Sequence, residues 1–173
     1  MNLRTRKRVT DFIHRNPIWV LYVRSFPETR CSCWNSFSGG SDYWHEECLG
    51  TGKVVRLEKV MCRRSMGYKE ERDIALPGHV SQTHTVFYFP YYVMPKDNDI
   101  VVEVESWDGS RPVGIYRVYR VMVAVPMRQS EVSYYACGCN PHDAQRDKIS
   151  EAIPRLPIVV LSTGQERDWR RQP

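Results

Sequence analysis

Apolar and polar positions alternate over short stretches of this chain far more often than apolar residues recur at helical spacing, which predicts a protein built of strands. Residues 18–23 form an unbroken apolar run rich in β-branched and aromatic side chains, bounded by Pro17 and Pro27. The run is too short for a buried helix and predicts a buried strand. Residues 53–63 set Val55, Leu57, Lys59 and Met61 against Val54, Arg56, Glu58 and Val60, an imperfect alternation that still reads as a strand. Further strands are expected over 80–89, ended or placed at an edge by Pro90, and over 115–125, closed by Pro126. One more is expected over 131–136. Residues 100–105 put Ile100, Val102 and Val104 on one face and Val101, Glu103 and Glu105 on the other, the pattern of a half-buried strand. Helical spacing appears at Leu3, Val9, Phe12 and Ile13, predicting one short helix within residues 3–15 that Pro17 ends.

Turn chemistry separates these segments. Residues 95–99 read as a turn, and Asp108-Gly109 is a tight-turn signal, although Arg111, Pro112 and Gly114 suggest a connection longer than two residues. Residues 64–79 are polar, end in Pro77-Gly78 and predict a long exposed excursion. After residue 140, prolines at 141, 154 and 157 interrupt the chain around one apolar run, 158–161, able to add a strand to this chain or to a neighbour. The fold expected is mainly β: a small β-barrel or sandwich with a short N-terminal helix and a metal-stapled hairpin loop. Residues 1–140 would form the barrel domain, including the loop at 30–52, and residues 141–173 an extended C-terminal arm.

Composition bounds the picture. A chain of 173 residues with 42% hydrophobic content can bury one real core without disulfides. It lacks an apolar stretch of membrane-spanning length and a signal-like N-terminal run, so it reads as soluble and not secreted. The net charge of +5 is concentrated at the ends, with Arg4, Arg6, Lys7 and Arg8 at one and Arg167, Arg170 and Arg171 at the other. Such arms are either solvated ends or contacts for nucleic acid or a partner.

The sharpest chemistry lies in residues 30–52. Cys31-Ser32-Cys33 is followed, after eleven residues, by His45-Glu46-Glu47-Cys48 and then Leu49-Gly50-Thr51-Gly52. Structural zinc sites take four tetrahedral sulfur and nitrogen ligands, and two close pairs joined by a loop supply them. Cys31, Cys33, His45 and Cys48 are therefore the expected ligands of one structural Zn2+. Gly50 and Gly52 permit the positive φ that a turn beside the second pair requires. The residues between the pairs are too polar to fold alone, which makes four unrelated side chains a poor explanation. Such sites supply roughly 10–16 kcal/mol of apparent binding energy, ample to order a loop of this size.

A full set of four protein ligands leaves no open position for chemistry. Glu46 suggests the His-x-Glu of zinc deaminases, but the Pro-Cys-x-x-Cys that should follow is missing, as is any His-Glu-x-x-His. Neither a phosphate-binding glycine loop nor a Gly-x-Ser-x-Gly elbow occurs, and no catalytic residues or organic cofactor are expected. Cys62, Cys137 and Cys139 are expected as free thiols, the alternative being half of a second site with His142.

Several segments resemble the zinc-bearing head-to-tail connector proteins of tailed bacteriophages, of the head-closure or stopper type. They are Arg30-Cys31-Ser32-Cys33-Trp34, the run His45 to Lys53, Phe89 to Pro95, and Ile115-Tyr116-Arg117-Val118 with Pro126-Met127-Arg128. Together they span roughly residues 5–140. The cysteine motifs are specific as a pair, whereas the strand segments are generic. In those relatives the second pair usually begins with cysteine; His45 stands there in this chain and keeps the ligand chemistry. The resemblance implies a structural virion protein, made in the host cytoplasm, that forms a homo-oligomeric ring in the neck. It further implies contacts with portal or adaptor and tail-terminator-type proteins, help in retaining packaged DNA, and no membrane contact. Tyr88, Tyr91, Tyr92, Tyr116, Tyr119, Tyr134 and Tyr135 would serve as interface anchors or as core. A zinc-ribbon nucleic-acid-binding protein is the alternative; a chaperone module with repeated Cys-Leu-Gly-Thr-Gly motifs fits less well, because the motif occurs once.

Overall fold

In the computed structural model, which describes residues 11–65, 85–128 and 132–162, the long apolar run opens strand β1 (Ile18–Arg30). The chain continues through β2 (Lys53–Arg64), β3 (Thr85–Pro90), β4 (Ile100–Asp108), β5 (Arg111–Arg128) and β6 (Val132–Pro141), then a short helix α1 (Arg146–Ala152) and strand β7 (Ile158–Val160). The sheet runs β1-β4-β5-β6-β3-β2, and β2 pairs back onto β1, so six antiparallel strands close into a barrel. Closure removes the exposed edges that an open sheet of this size would carry. β7 lies parallel to β2, with Leu57 opposite Ile158. Among the described residues no helix is long and apolar enough to cross a membrane.

All six barrel strands contribute to one interior cluster. Val20 and Tyr22, Val60 and Cys62, Phe87 and Phe89, Val101, Tyr119 and Val121, and Cys137 and Cys139 meet there. Several alternate residues of β1, β2 and β4 are buried as well. Leu21, Val23, Leu57, Ile100 and Val102 form a second core on the outside of the barrel, covered by Leu49, Ile149 and Ala152. Burial on both faces of residues 20–23 is the reason that part of the run carries no polar alternation. It also overturns the half-buried reading of residues 100–105, because Ile100, Val101, Val102 and Glu103 are all buried.

Charged pairs hold the two ends of the interior. At the end nearer the cysteine-bearing loop, the fully buried Glu58 accepts from Arg24 Nε at 2.9 Å and Nη2 at 3.0 Å and also from Arg56. Arg24 also donates to the carbonyls of Val93 and Met94. At the other end Arg64 reaches both Glu103 carboxylate oxygens, at 3.1 and 3.2 Å, and Tyr119 donates its hydroxyl to the same group. Buried charges persist only when paired and hydrogen-bonded in this way.

Other expectations meet a mixed outcome. The connection at Asp108-Gly109 is a two-residue turn after all, since Asp108 pairs with Arg111 and Gly109 takes φ 58°. Pro126 does not close its strand: β5 continues to Arg128, with Pro126 opposite Tyr135. The absent N–H is tolerated there because β4 accompanies β5 only as far as Arg120. β3 does end at Pro90. Residues 141–161 do not form an extended arm but fold back on the barrel, burying Ile149, Ala152 and Leu161. The helix expected over 3–15 is seen at residues 11–14, where Ile13 is buried. The excursion at 66–79, the strand start at 80–84, and both basic terminal arms lie outside the described residues.

Candidate metal centre

The loop between β1 and β2 is the tip of a hairpin. Its base is drawn together by the Cys31 N–H, which donates to the Gly52 carbonyl at 2.9 Å, next to the Arg30–Lys53 pair of the ladder. Within the loop the Trp34 N–H returns to the Cys31 carbonyl, and Asn35 pairs with Gly40 in an isolated bridge. A single 3-10 turn over Glu46–Cys48 then points Cys48 inward. Leu49 in the left-handed region (φ 50°) and Gly50 and Gly52 (φ 73° and 72°) reverse the chain behind it. Gly52 is required for a second reason: a Cβ there would sit 2.4 Å from the Trp34 ring.

This path gathers the four expected ligands. The donor atoms of Cys31, Cys33, His45 and Cys48 all lie within 4.8 Å of one another. Cys31 Sγ is 3.2 Å from His45 Nδ1, Cys33 Sγ is 3.5 Å from Cys48 Sγ, and Cys48 Sγ is 4.0 Å from His45 Nδ1. A tetrahedron with Zn–S bonds of about 2.3 Å has sulfur–sulfur edges of about 3.8 Å, so these separations suit a bound ion. They do not suit a disulfide, whose sulfurs lie about 2.05 Å apart, and all six cysteines are free. Three thiols and an imidazole form a borderline-soft set that can hold a metal ion, and zinc takes such a set in closed structural sites.

The thiols differ before any cation neutralises them. Burial opposes ionisation of Cys31, but the Cys33 N–H and the side chains of Cys33, Cys48 and Ser32 outweigh it and hold this thiol below its ordinary value. Burial pushes Cys48 up to about 11, and its hydrogen bonds to the Cys33 and Cys31 thiols add to that against the backbone N–H groups of Gly52 and Gly50. A coordinated cation reverses this balance by deprotonating its thiols outright.

Helix α1 and its flank brace the loop, a contribution the sequence reading missed. Lys148 donates to the Leu49 carbonyl at 3.3 Å and lies 3.1 Å from the centre of the Tyr43 ring. Arg155 pairs with Glu46, so the carboxylate that suggested a deaminase base is tied to a cation at the surface. Leu49 plugs into the outer core beside Ile149. The signal was present: Ile149, Ala152, Ile153 and Leu156 stand at i, i+3, i+4 and i+7.

Among the described residues this is the one Cys/His cluster with metal-binding geometry. Cys62, Cys137 and Cys139 line the barrel interior, fully buried, and burial raises all three thiols. They behave as small apolar core residues. His142 stands outside the barrel and does not join them. No family model and no curated protein matches this chain.

Proposed function

We propose that this protein is a structural component of the head-to-tail interface of a tailed-phage virion, a ring-forming neck subunit that binds one structural Zn2+. The observation that carries the reading is the four-donor cluster at the tip of a barrel hairpin, since the same residues carry the resemblance to zinc-bearing connectors. In this role the ion does no chemistry. It fixes the outline of a polar loop so that aromatic side chains project at set positions.

Surface features support an assembly role. Phe37, Tyr43 and Trp44 stand exposed on the stapled loop, and Val113, Tyr116 and Met122 stand exposed on β5. Exposed aromatics on a rigid frame are the usual anchors of protein interfaces. Of the tyrosines named from the sequence, Tyr88, Tyr92 and Tyr119 serve the core instead, leaving Tyr116 as the most exposed. The partners proposed are further copies of this chain, portal or adaptor rings and tail-terminator-type proteins, with DNA contact in the channel.

The test is the gene's neighbourhood followed by imaging. Coding sequences for portal and major capsid proteins should flank this one, and a tagged copy should label the neck of assembled particles in electron micrographs. A host metabolic neighbourhood, or label absent from particles, overturns the reading. Salt-dependent DNA binding by the isolated monomer would favour a nucleic-acid-binding protein in its place.

A further inference from the structure

The three thiols of the metal loop are not equivalent. Cys33 Sγ faces Cys48 Sγ at 3.5 Å, whereas Cys31 Sγ meets His45 Nδ1 at 3.2 Å and a Glu47 carboxylate oxygen at 3.9 Å. Exposure separates them further. Cys31 and Cys48 are buried, at 4% and 0% exposure, and of the three only Cys33 is partly open to solvent. A small oxidant arriving from solvent therefore meets Cys33 first, with Cys48 as its sulfur neighbour.

Disulfide sulfurs lie about 2.05 Å apart, so this pair has to close by about 1.5 Å. Cys33 lies in the turn between the end of β1 and the Asn35–Gly40 bridge, outside every strand, where the backbone can follow such a movement. Cys31 is held more firmly. Its N–H is tied to the Gly52 carbonyl at 2.9 Å and its carbonyl to the Trp34 N–H at 3.0 Å. A Cys31–Cys33 bridge would also span a single residue, far from relaxed disulfide geometry. Cys62, Cys137 and Cys139 are enclosed in the barrel and take no part.

We propose that Cys33 and Cys48 form a redox switch in the metal loop: a peroxide oxidises this pair to a disulfide, and the zinc ion is released. The inference rests on the reading that the four donors hold zinc. In the first step the Cys33 thiolate attacks one peroxide oxygen, the O–O bond breaks, and hydroxide departs to leave a sulfenic acid on Cys33. The Cys48 thiolate then attacks that sulfur. An S–S bond forms, the S–O bond breaks and a second hydroxide departs. Two thiolates have lost two electrons, and the peroxide has become two hydroxide ions that take up protons as water. Cys31 and His45 remain as donors, too few for a closed four-ligand site. The new bridge still joins the two halves of the loop, which stays closed without the ion.

The test treats full-length protein, its zinc counted by native mass spectrometry, with hydrogen peroxide while a chromogenic chelator reports released metal. One zinc per chain should leave as two of the six free thiols are lost. Fragmentation of chymotryptic peptides should place the bridge at Cys33–Cys48, and dithiothreitol followed by zinc should restore all six thiols and the bound metal. Cys33→His keeps four donors but cannot form the bridge. Where this variant holds zinc, release by peroxide should be at least tenfold slower than from wild type; where it does not, the wild-type disulfide map decides alone. Zinc retained under excess peroxide, a bridge made chiefly by Cys31, release without any bridge, or equally fast release from Cys33→His overturns the proposal. Protein that carries no zinc at the outset overturns the metal reading, and this proposal with it.

Discussion

The backbone N–H of Cys31 donates to the carbonyl of Gly52 across 2.9 Å, so the first metal donor of the loop begins where the β1–β2 ladder ends. The ladder therefore fixes Cys31 at the base of the loop, while Cys33, His45 and Cys48 are placed by the loop itself.

The loop should depend on metal while most of the barrel does not. Replacing Cys33 with Ser removes one donor, and amide hydrogen exchange should accelerate across residues 31–52. It should also accelerate in α1, because Lys148 and Arg155 grip this loop. Exchange in β3, β5 and β6 should stay slow, since their interior contacts involve none of the four donors. Unchanged exchange across residues 31–52 would show that the loop holds itself.

Gly50 provides a finer probe. At φ 73° an alanine incurs strain of order 1–3 kcal/mol, and its Cβ would also meet the Tyr43 carbonyl oxygen at 2.4 Å. Gly39 has φ 65° but nothing within 4 Å of the position a Cβ would take, so Gly39→Ala isolates the backbone cost. Transfer of zinc to a chelator should be markedly faster from Gly50→Ala than from Gly39→Ala. Equal rates would mean that the close packing of Gly50 contributes nothing to the site.

Glu58 is fully buried between Arg24 and Arg56. The change Glu58→Leu strands the Arg24 guanidinium and should cost about 3–5 kcal/mol in denaturant unfolding. The double change Arg24→Met/Glu58→Leu removes both charges and should recover much of that loss. A double variant as unstable as the single one would show that the pair does more than neutralise itself.

Asp99 gives the pH dependence its sign. Burial raises its carboxyl above the ordinary value, in spite of the Ser25 N–H, the Tyr22 hydroxyl, nearby Arg24 and the Lys96 N–H, which all pull it down. The folded state thus binds this proton more tightly than the unfolded chain. The penalty of keeping Asp99 ionised is present near neutrality, is relieved as pH falls through the folded value, and is gone below the unfolded value of about 3.9. Measured by urea unfolding, wild type should gain on Asp99→Asn as the pH is lowered from about 7 towards 4. A constant or opposite trend would contradict the burial argument.

Much of this molecule is legible in its sequence because the informative features are local. Paired cysteines with intervening turn residues announce the loop, and the uninterrupted apolar run of residues 18–23 announces a strand, buried on both faces over residues 20–23. What escapes is set by tertiary neighbours. Whether Pro126 stops a strand depends on where β4 ends, and whether Val101 and Glu103 meet water depends on barrel closure. The arm beyond residue 140 reads as irregular because Pro154 and Pro157 outweigh a helix of only seven residues. Its covering role appears once Ile149 is seen against Leu49. Even the charge alternation on β2 is ambiguous, since Glu58 looks like a solvent-facing residue until Arg24 is placed beside it.

The central claim is that Cys31, Cys33, His45 and Cys48 bind one structural zinc ion. X-ray absorption at the zinc edge, on full-length protein purified without chelator and counted by native mass spectrometry, tests it most directly. One zinc per chain is expected, with three sulfur neighbours at about 2.3 Å and one nitrogen at about 2.0 Å, and no water in the first coordination sphere. Protein that is folded and metal-free, or a zinc ion surrounded by oxygen donors, would contradict it.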